Sequence, residues 1–389
     1  MTRRILHVLG SPHLGGAESM CLHLAREQLR RGHDVHVHCF EAGAASAKAQ
    51  ELGIPLSLQN VTTYSRKARW GALAHGLKRT LQTHPPDLVH SHVPITNLIC
   101  HRVAPSLKIP WVATAHGSWR LFAYAPQTVD KPWLKPFLLV RHAIGDRITL
   151  RSAAGVAAIS EYVKRELRQI GVPEKKMMVV HDGLPTNAHP LTRAAGRSAL
   201  GLPDDALIIG SLGFFSPVKG FDLLIHAFAK LATDRPKLML LIAGGDVFGH
   251  DEHRQELIEL IEHYGLAARI QLLGALDPKA GFLAALDIFV VASRSEGLSL
   301  SLVEAMQHGK PSIVSSAGGS LEAARPEREA LVFRSGDVDD LVQNLERLLS
   351  SETLRTGLGH AAQERAATYL TIGRCADDYD NFYTAFESS

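Results

Sequence analysis

The sequence is poor in several features that would assign it to a class at once. Its 389 residues include four cysteines, Cys21, Cys39, Cys100 and Cys375. They are far apart and form no C-x-x-C pair, so neither a disulfide framework nor a zinc knuckle is indicated and a reducing compartment is the simpler expectation. No run of 18 or more uninterrupted apolar residues occurs, so no segment reads as a membrane-spanning helix. The start, Met1-Thr2-Arg3-Arg4, leads into an apolar stretch, Ile5 to Leu9, that is shorter than a signal peptide needs. Short-period repeats and low-complexity tracts are also missing. The expectation is a cytosolic protein, soluble or bound to a surface.

Net charge is nearly missing too: 42 Lys plus Arg against 39 Asp plus Glu leave +3. That total hides a division. Residues 1–178 carry 24 basic and 11 acidic side chains, a balance of +13, whereas the remainder carry 18 and 28, a balance of −10. Two electrostatically different halves suit a chain of two domains, and the length allows two or three at roughly 150 residues each. A hydrophobic content of 46% with 21% charged residues argues against disorder.

Short apolar runs alternate with longer amphipathic stretches throughout, the signature of βαβ units and parallel sheets. In the first half, strands are expected at Ile5–Leu9, Asp34–Phe40, Leu88–Ser91, Trp111–Ala115 and Gly155–Ile159, with helices at Ala17–Arg30, Trp70–Gln82 and Glu161–Gln169, the last capped by Ser160. The second half repeats the scheme from Leu207–Leu212 through Lys237–Ala243, Arg269–Leu273, Ile288–Ala292 and Ser312–Ser315. Between them His181 to Asp205, with Pro185, Pro190 and Pro203, reads as a linker. The expected domains are therefore 1–180 and 206–365, joined by 181–205. A C-terminal helix within 366–389 is expected to pack back on the first domain. Two doubly wound sheets in tandem place ligands at the carboxyl ends of their strands, where helix N-termini converge.

The stretch Asp287 to Ala305 is the most informative. A buried strand ends near Ala292, a small polar loop follows, and a helix begins after Gly297. The amides of Leu298, Ser299 and Leu300 then form an anion site suited to a phosphate. Glu296 and Glu304 flank it eight positions apart, with Glu304 expected about two turns into the helix. Facing a phosphate they would repel it, so they read better as acceptors of hydroxyl hydrogen bonds from an attached sugar and ribose. A solvent-facing helix residue and a loop charge are the plainer alternative.

This segment resembles the E-x7-E signature of retaining glycosyltransferases of family 4, enzymes with the GT-B fold of two Rossmann-like α/β domains. Further similar motifs follow in the family's order. They are Gly15-Gly16-Ala17-Glu18, Ala113 to Gly117 with its strand-end His116, Ala157 to Glu161, His181-Asp182-Gly183, Gly213 to Gly220, and Ser316-Ala317-Gly318-Gly319. The resemblance implies transfer of a hexose-type sugar from a nucleoside-diphosphate sugar, which serves as co-substrate, with no cofactor and no metal. It implies an acceptor hydroxyl in the synthesis of cell-envelope polysaccharide, lipopolysaccharide or glycolipid. By the same resemblance Gly16, Gly213, Lys219 and the amides of residues 298–300 meet the diphosphate, and Glu304 the ribose. Backbone near Leu276 meets the base, while His116 and Glu296 act at the sugar.

Two departures stand out. The family places an arginine directly after the glycine that is Gly213 here, and this chain has Phe214. Losing one donor from a preorganised anion site costs roughly 3 kcal/mol of barrier, about a hundredfold in rate, unless Lys219 and the helix amides suffice or a residue such as Arg294 substitutes. The second departure is Asp182 where the family has Asn. Two apparent metal motifs read otherwise. His90-Ser91-His92 suits strand-end polar residues, and Asp337-Val338-Asp339 suits helix capping and dipole charge.

A double displacement needs a carboxylate nucleophile and a second carboxyl, and no candidate beyond Glu296 is placed for it. Same-face attack, with the leaving phosphate taking the acceptor proton, is the favoured reading. The acceptor is then expected on the basic half. There, Arg66, Lys67 and Arg69 surround Trp70, and a second stretch from Ser118 to Arg151 interleaves Trp119, Arg120 and Trp133 with further cations. Basic residues with aromatics suit an anionic membrane surface or lipid-linked acceptor, with the protein peripheral on the inner face of the cytoplasmic membrane. An ordinary solvated helix face over core aromatics is the alternative. Nucleic acid is not expected, because no binding motif accompanies the charge. Different-class readings are a nucleotide-sugar-binding protein weakened in catalysis by Phe214, and an inverting transferase or epimerase on the same fold.

Overall fold

The computed structural model describes residues 2–59, 66–117, 132–186, 191–246, 251–276 and 279–386. They form two compact units. Among the described residues the first takes 2–117, 133–185 and 371–386, and the second 132 and 186–370.

In the first unit seven strands form a wholly parallel sheet in the order β3-β2-β1-β4-β5-β6-β7. They are β1 (Arg4–Leu9), β2 (Asp34–Cys39), β3 (Leu56–Leu58), β4 (Leu88–Ser91), β5 (Trp111–Ala115), β6 (Gly155–Ala158) and β7 (Met177–Val179). Each of β4, β5 and β6 is buried along its full length, as parallel strands covered on both faces must be. Strand order reverses between β1 and β4, and this is where an open α/β sheet leaves a crevice beyond its strand ends.

The second unit repeats the plan with six parallel strands, β10-β9-β8-β11-β12-β13. These are β8 (Leu207–Leu212), β9 (Leu238–Ala243), β10 (Ile270–Leu273), β11 (Ile288–Val291), β12 (Ser312–Ser315) and β13 (Ala330–Phe333). The helix Phe221–Ala232 seats Phe221, Leu224 and Phe228 against Leu240, Ile242, Ile288 and Val290 to make its core. Here the reversal lies between β8 and β11.

The stretch read as a linker holds a helix, Arg193–Leu200, that belongs to the second unit, so the chain leaves the first unit after Pro185 and returns to it at Thr371. Its Gly196 lets that helix close on the helix Ala280–Ala285, since a Cβ there would lie 2.5 Å from the Gly281 carbonyl oxygen. The Arg197 guanidinium is buried and donates to Asp287 (2.6 Å) and to the carbonyls of Ala285, Pro203 and Ala206. A polar, proline-bearing composition concealed a helix held by one buried arginine. The C-terminal helix runs Ile372–Phe386 and lies in the first unit.

Candidate functional site

The reversal in the second sheet places the loop after β8 beside the loop after β11. Lys219 ends a single 3-10 turn, Pro217–Lys219, and Gly220 follows at φ +63°. A Cβ on Gly220 would approach the Ala292 carbonyl oxygen to 2.2 Å, so only glycine lets the two loops meet. The Lys219 stem passes over Gly213, where a Cβ would sit 3.2 Å from Cε. Its ammonium donates to Glu296 Oε2 at 2.8 Å, and Ser293 Oγ donates to the same oxygen at 3.0 Å. The backbone of Glu296 is held by the Gly318-Gly319 turn. Gly318 has φ +78° and a Cβ there would fall 2.0 Å from the Glu296 carbonyl oxygen, which accepts from Gly319 N–H at 3.0 Å.

The adjoining helix runs Leu300–Gln307, capped by Ser299, whose hydroxyl accepts from Leu302 N–H. Leu298 and Ser299 are buried just ahead of it. Glu304 therefore lies little more than one turn in, closer to the anion-attracting end than the two turns expected from the sequence. Its Oε1 accepts from Lys279 Nζ at 2.9 Å, while Oε2 is buried and has no hydrogen-bond partner among the described residues. A buried acceptor left open is costly unless a ligand donates to it. Lys279 was missed in the sequence because it lies in no motif and reaches Glu304 only through the fold. Leu276, half-buried, follows β10 three residues before it. The site thus carries two lysine–glutamate pairs around one helix start.

Arg294 does not stand in for the missing arginine. Its guanidinium is committed to Asp222, at 2.5 and 2.8 Å, and to the Pro217 carbonyl. Phe214 is exposed. The Asp337 side chain accepts from Asp340 N–H at the start of the helix Val338–Ser350, the capping role expected of it.

In the first unit the loop after β1 leads through Gly15 into the helix Gly16–Arg30, and Glu18 accepts from Gly15 N–H. Burial pushes the Glu18 carboxyl up, and nearby His116 works the other way. Beneath His116 runs a chain of side chains that no sequence motif announced. Gln28 donates to the Tyr383 hydroxyl, so its Oε1 accepts from His7 Nε2 at 2.7 Å. Burial pushes His7 down to about 4 and His92 well below the ordinary histidine value, so both rings are neutral near pH 7.

A neutral ring has one donor nitrogen and one acceptor. His7 Nδ1 must then accept from His92 Nε2 (2.9 Å), and His92 Nδ1 faces His116 Nε2 at 3.4 Å as an acceptor. The far nitrogen of His116, Nδ1, lies 3.7 Å from Asp182 Oδ2, and Asp182 Oδ1 is buried without a partner among the described residues. At that separation the His116 ring and the Asp182 carboxylate face one another without a hydrogen bond between them.

His7, Cys21 and His92 offer ligand atoms within 4.8 Å of one another. Both ring nitrogens of His7 are already hydrogen-bonded, however, and burial pushes the Cys21 thiol well up, away from the thiolate that a metal needs. Of the residues read as an acceptor surface, Trp133 is exposed. Trp119, Arg120 and the side chains of Arg66, Lys67 and Arg69 lie outside the described residues.

Comparison with known proteins gives a consistent picture. Residues 14–188 match the family described as Glycosyltransferase Family 4, and residues 193–365 the one described as Glycosyl transferases group 1. A D-inositol 3-phosphate glycosyltransferase of Mycobacterium sp. (strain KMS) is 26% identical over 397 aligned residues, covering 95% of this chain and 88% of the relative. HepE from Anabaena, solved in complex with UDP-glucose, superimposes with a TM-score of 0.86 at 20% identity, over 98% of this chain and 100% of that one. WaaG, a glycosyltransferase involved in lipopolysaccharide biosynthesis, does so with a TM-score of 0.73 at 17% identity, over 97% and 99%.

Proposed function

Because the chain belongs to the glycosyltransferases, with a family 4 domain ahead of a group 1 domain in the GT-B fold, we propose that it transfers a hexose-type sugar from a nucleoside-diphosphate sugar to an acceptor hydroxyl with retention. The observation that carries this reading is the pairing of Lys219 with Glu296 and of Lys279 with Glu304 around one helix start, with Glu304 Oε2 buried and open. The lysines neutralise the carboxylates. An arriving diphosphate competes for Lys219 and for the amides at Leu298, Ser299 and Leu300, and Gly213 leaves room for it. Glu296 is thereby released to accept from sugar hydroxyls, while Glu304 accepts from the ribose. Backbone near Leu276 takes the base.

With Glu296 assigned to sugar hydroxyls and Glu304 to the ribose, neither carboxylate of this helix start is left as the nucleophile or the acid/base that a double displacement requires. We therefore propose same-face attack, in which the departing phosphate oxygen takes the acceptor proton as the glycosidic bond breaks. No metal or cofactor enters this proposal, since fixed cations and amides meet the diphosphate charge. An acceptor in cell-envelope polysaccharide, lipopolysaccharide or glycolipid, reached at the inner face of the membrane, is supported by the kinds of relative the chain resembles and by the basic first half.

The test begins with a thermal-shift panel of UDP, GDP and ADP sugars, since a ligand of the native state raises apparent stability by mass action. The anomeric configuration of the product made from the stabilising donor is then read by NMR. A retained product is expected, and an inverted one overturns the mechanism. Binding without transfer would instead favour a nucleotide-sugar-binding protein, the reading that Phe214 supports.

A further inference from the structure

The helix Lys135–Ser152 follows β5 in the first unit, and of its side chains only Thr149 and Leu150 are fully buried. Its outward face is not polar. Phe137, Val140, Ile144 and Ile148, with Trp133 just ahead of the helix, are between 51% and 75% exposed. Spacings of three and four residues keep these positions on one side for three turns. The six other exposed large apolar side chains among the described residues, from Leu58 to Tyr264, are scattered along the chain. Scattered exposure needs no explanation, whereas a contiguous stripe marks a contact surface.

The charges beside the stripe are of one sign. Arg141, Arg147 and Arg151 are exposed on its flanks. Its one acid, Asp146, lies nine residues on from Phe137 and hence on the opposite side of the helix. Burial pushes that carboxyl up to about 7. An apolar strip edged by cations matches the boundary of an anionic bilayer, with aromatic and branched side chains among the acyl chains and guanidinium groups among the headgroups. A second copy of this chain fits poorly, because a two-fold contact through the face would set its cations against themselves.

We propose that the helix Lys135–Ser152 is a membrane-docking surface that lies in the interface of an anionic lipid bilayer, with Phe137, Val140, Ile144 and Ile148 inserted. Its purpose rests on the glycosyltransfer reading, since docking brings a lipid-linked acceptor near. The binding itself does not depend on that reading.

The experiment is co-sedimentation of the full chain with vesicles of equal parts phosphatidylglycerol and phosphatidylcholine, or of phosphatidylcholine alone, with no nucleotide sugar present. Binding to the anionic vesicles is expected, together with weakening as salt screens the cations. Phe137→Glu with Ile144→Glu should reduce partitioning at least about tenfold while the melting temperature is unchanged, since both residues are exposed. Arg141→Glu with Arg147→Glu should remove the preference for anionic lipid. The proposal is overturned by no binding to either vesicle, by equal binding of the Glu variant, or by self-association of the wild type that the Glu variant abolishes. A chain that docks but transfers no sugar refutes only the proposed activity. One that transfers but does not dock refutes only the docking.

Discussion

Where strand order reverses in the first sheet, the ring nitrogens of His7 and His92 point at one another inside the buried core. At the same point of the second sheet, Lys219 and Lys279 hold Glu296 and Glu304 at the edge of solvent. The topology is shared and the electrostatics are opposite. Histidines kept neutral by burial make a hydrogen-bond chain of fixed polarity, which gives His116 one orientation and resists change. Partly exposed ion pairs are worth little to stability, about 0–1 kcal/mol, so one partner can be exchanged at small cost, as the proposed donor binding needs. The first arrangement suits positioning, and the second suits exchange.

The comparison can be broken at several points. The largest effect is expected from Lys219→Ala. If the pair at the second reversal is an exchangeable anion site, removing its cation should lower kcat by about 10²–10³-fold, read from donor turnover at saturation. An unchanged kcat would reduce Lys219 to a surface ion pair.

Acid should separate the two units by stability. His7 is held at about 4 in the folded state, against an ordinary histidine value near 6.5. Its folded value is depressed, so the unfolded chain binds the extra proton first, and stability present above about pH 6.5 is lost as pH falls toward 4. The loss amounts to about 3 kcal/mol for His7 alone, with His90 and His92 acting in the same direction. Hydrogen exchange followed from pH 7 to about 4.5 should show protection falling in the peptide spanning Arg4–Leu9 before that spanning Leu207–Leu212. Simultaneous loss would remove the contrast.

A smaller effect sharpens the second site. Glu304→Gln should raise the donor KM about tenfold with kcat little altered, since one charged hydrogen bond to a ground-state hydroxyl is worth about 1.5–3 kcal/mol. A fall in kcat with KM unchanged would move Glu304 from ribose binding to the reacting centre. The smallest effect is expected at Asp182. Asp182→Asn should change kcat by less than about threefold and Asp182→Leu by about tenfold, the scale on which groups that orient an active residue act. Equal losses in both would mean that the carboxylate charge matters as well as the contact.

Much of this was legible in the chain itself. Runs such as Leu207–Leu212 and Ser312–Ser315 are apolar enough to be buried on both faces, so period and length alone bounded them to the residue. Glu161–Gln169 was legible for another reason, because Ser160 caps it locally. The short strands Leu56–Leu58 and Met177–Val179 were not, since three residues carry too little pattern and are held by their neighbours in the sheet. The helix Arg193–Leu200 was lost among prolines and polar residues.

At the site, local order sufficed for Gly220, Glu296 and Ser299, because a strand end, a turn and a cap are short-range events. Lys279 reaches Glu304 across 25 positions, and His7 reaches His92 across 85. No spacing rule joins such residues. The amino-acid sequence by itself determined two parallel-sheet domains, the loops at their strand ends and the residue types available there, since these follow from hydrophobic period and backbone preference. Only the tertiary structure decided which charges meet. It left Arg294 committed to Asp222, Glu304 with one open oxygen and five apolar side chains facing outward, because pairing and burial depend on distances that close only when the sheets are assembled.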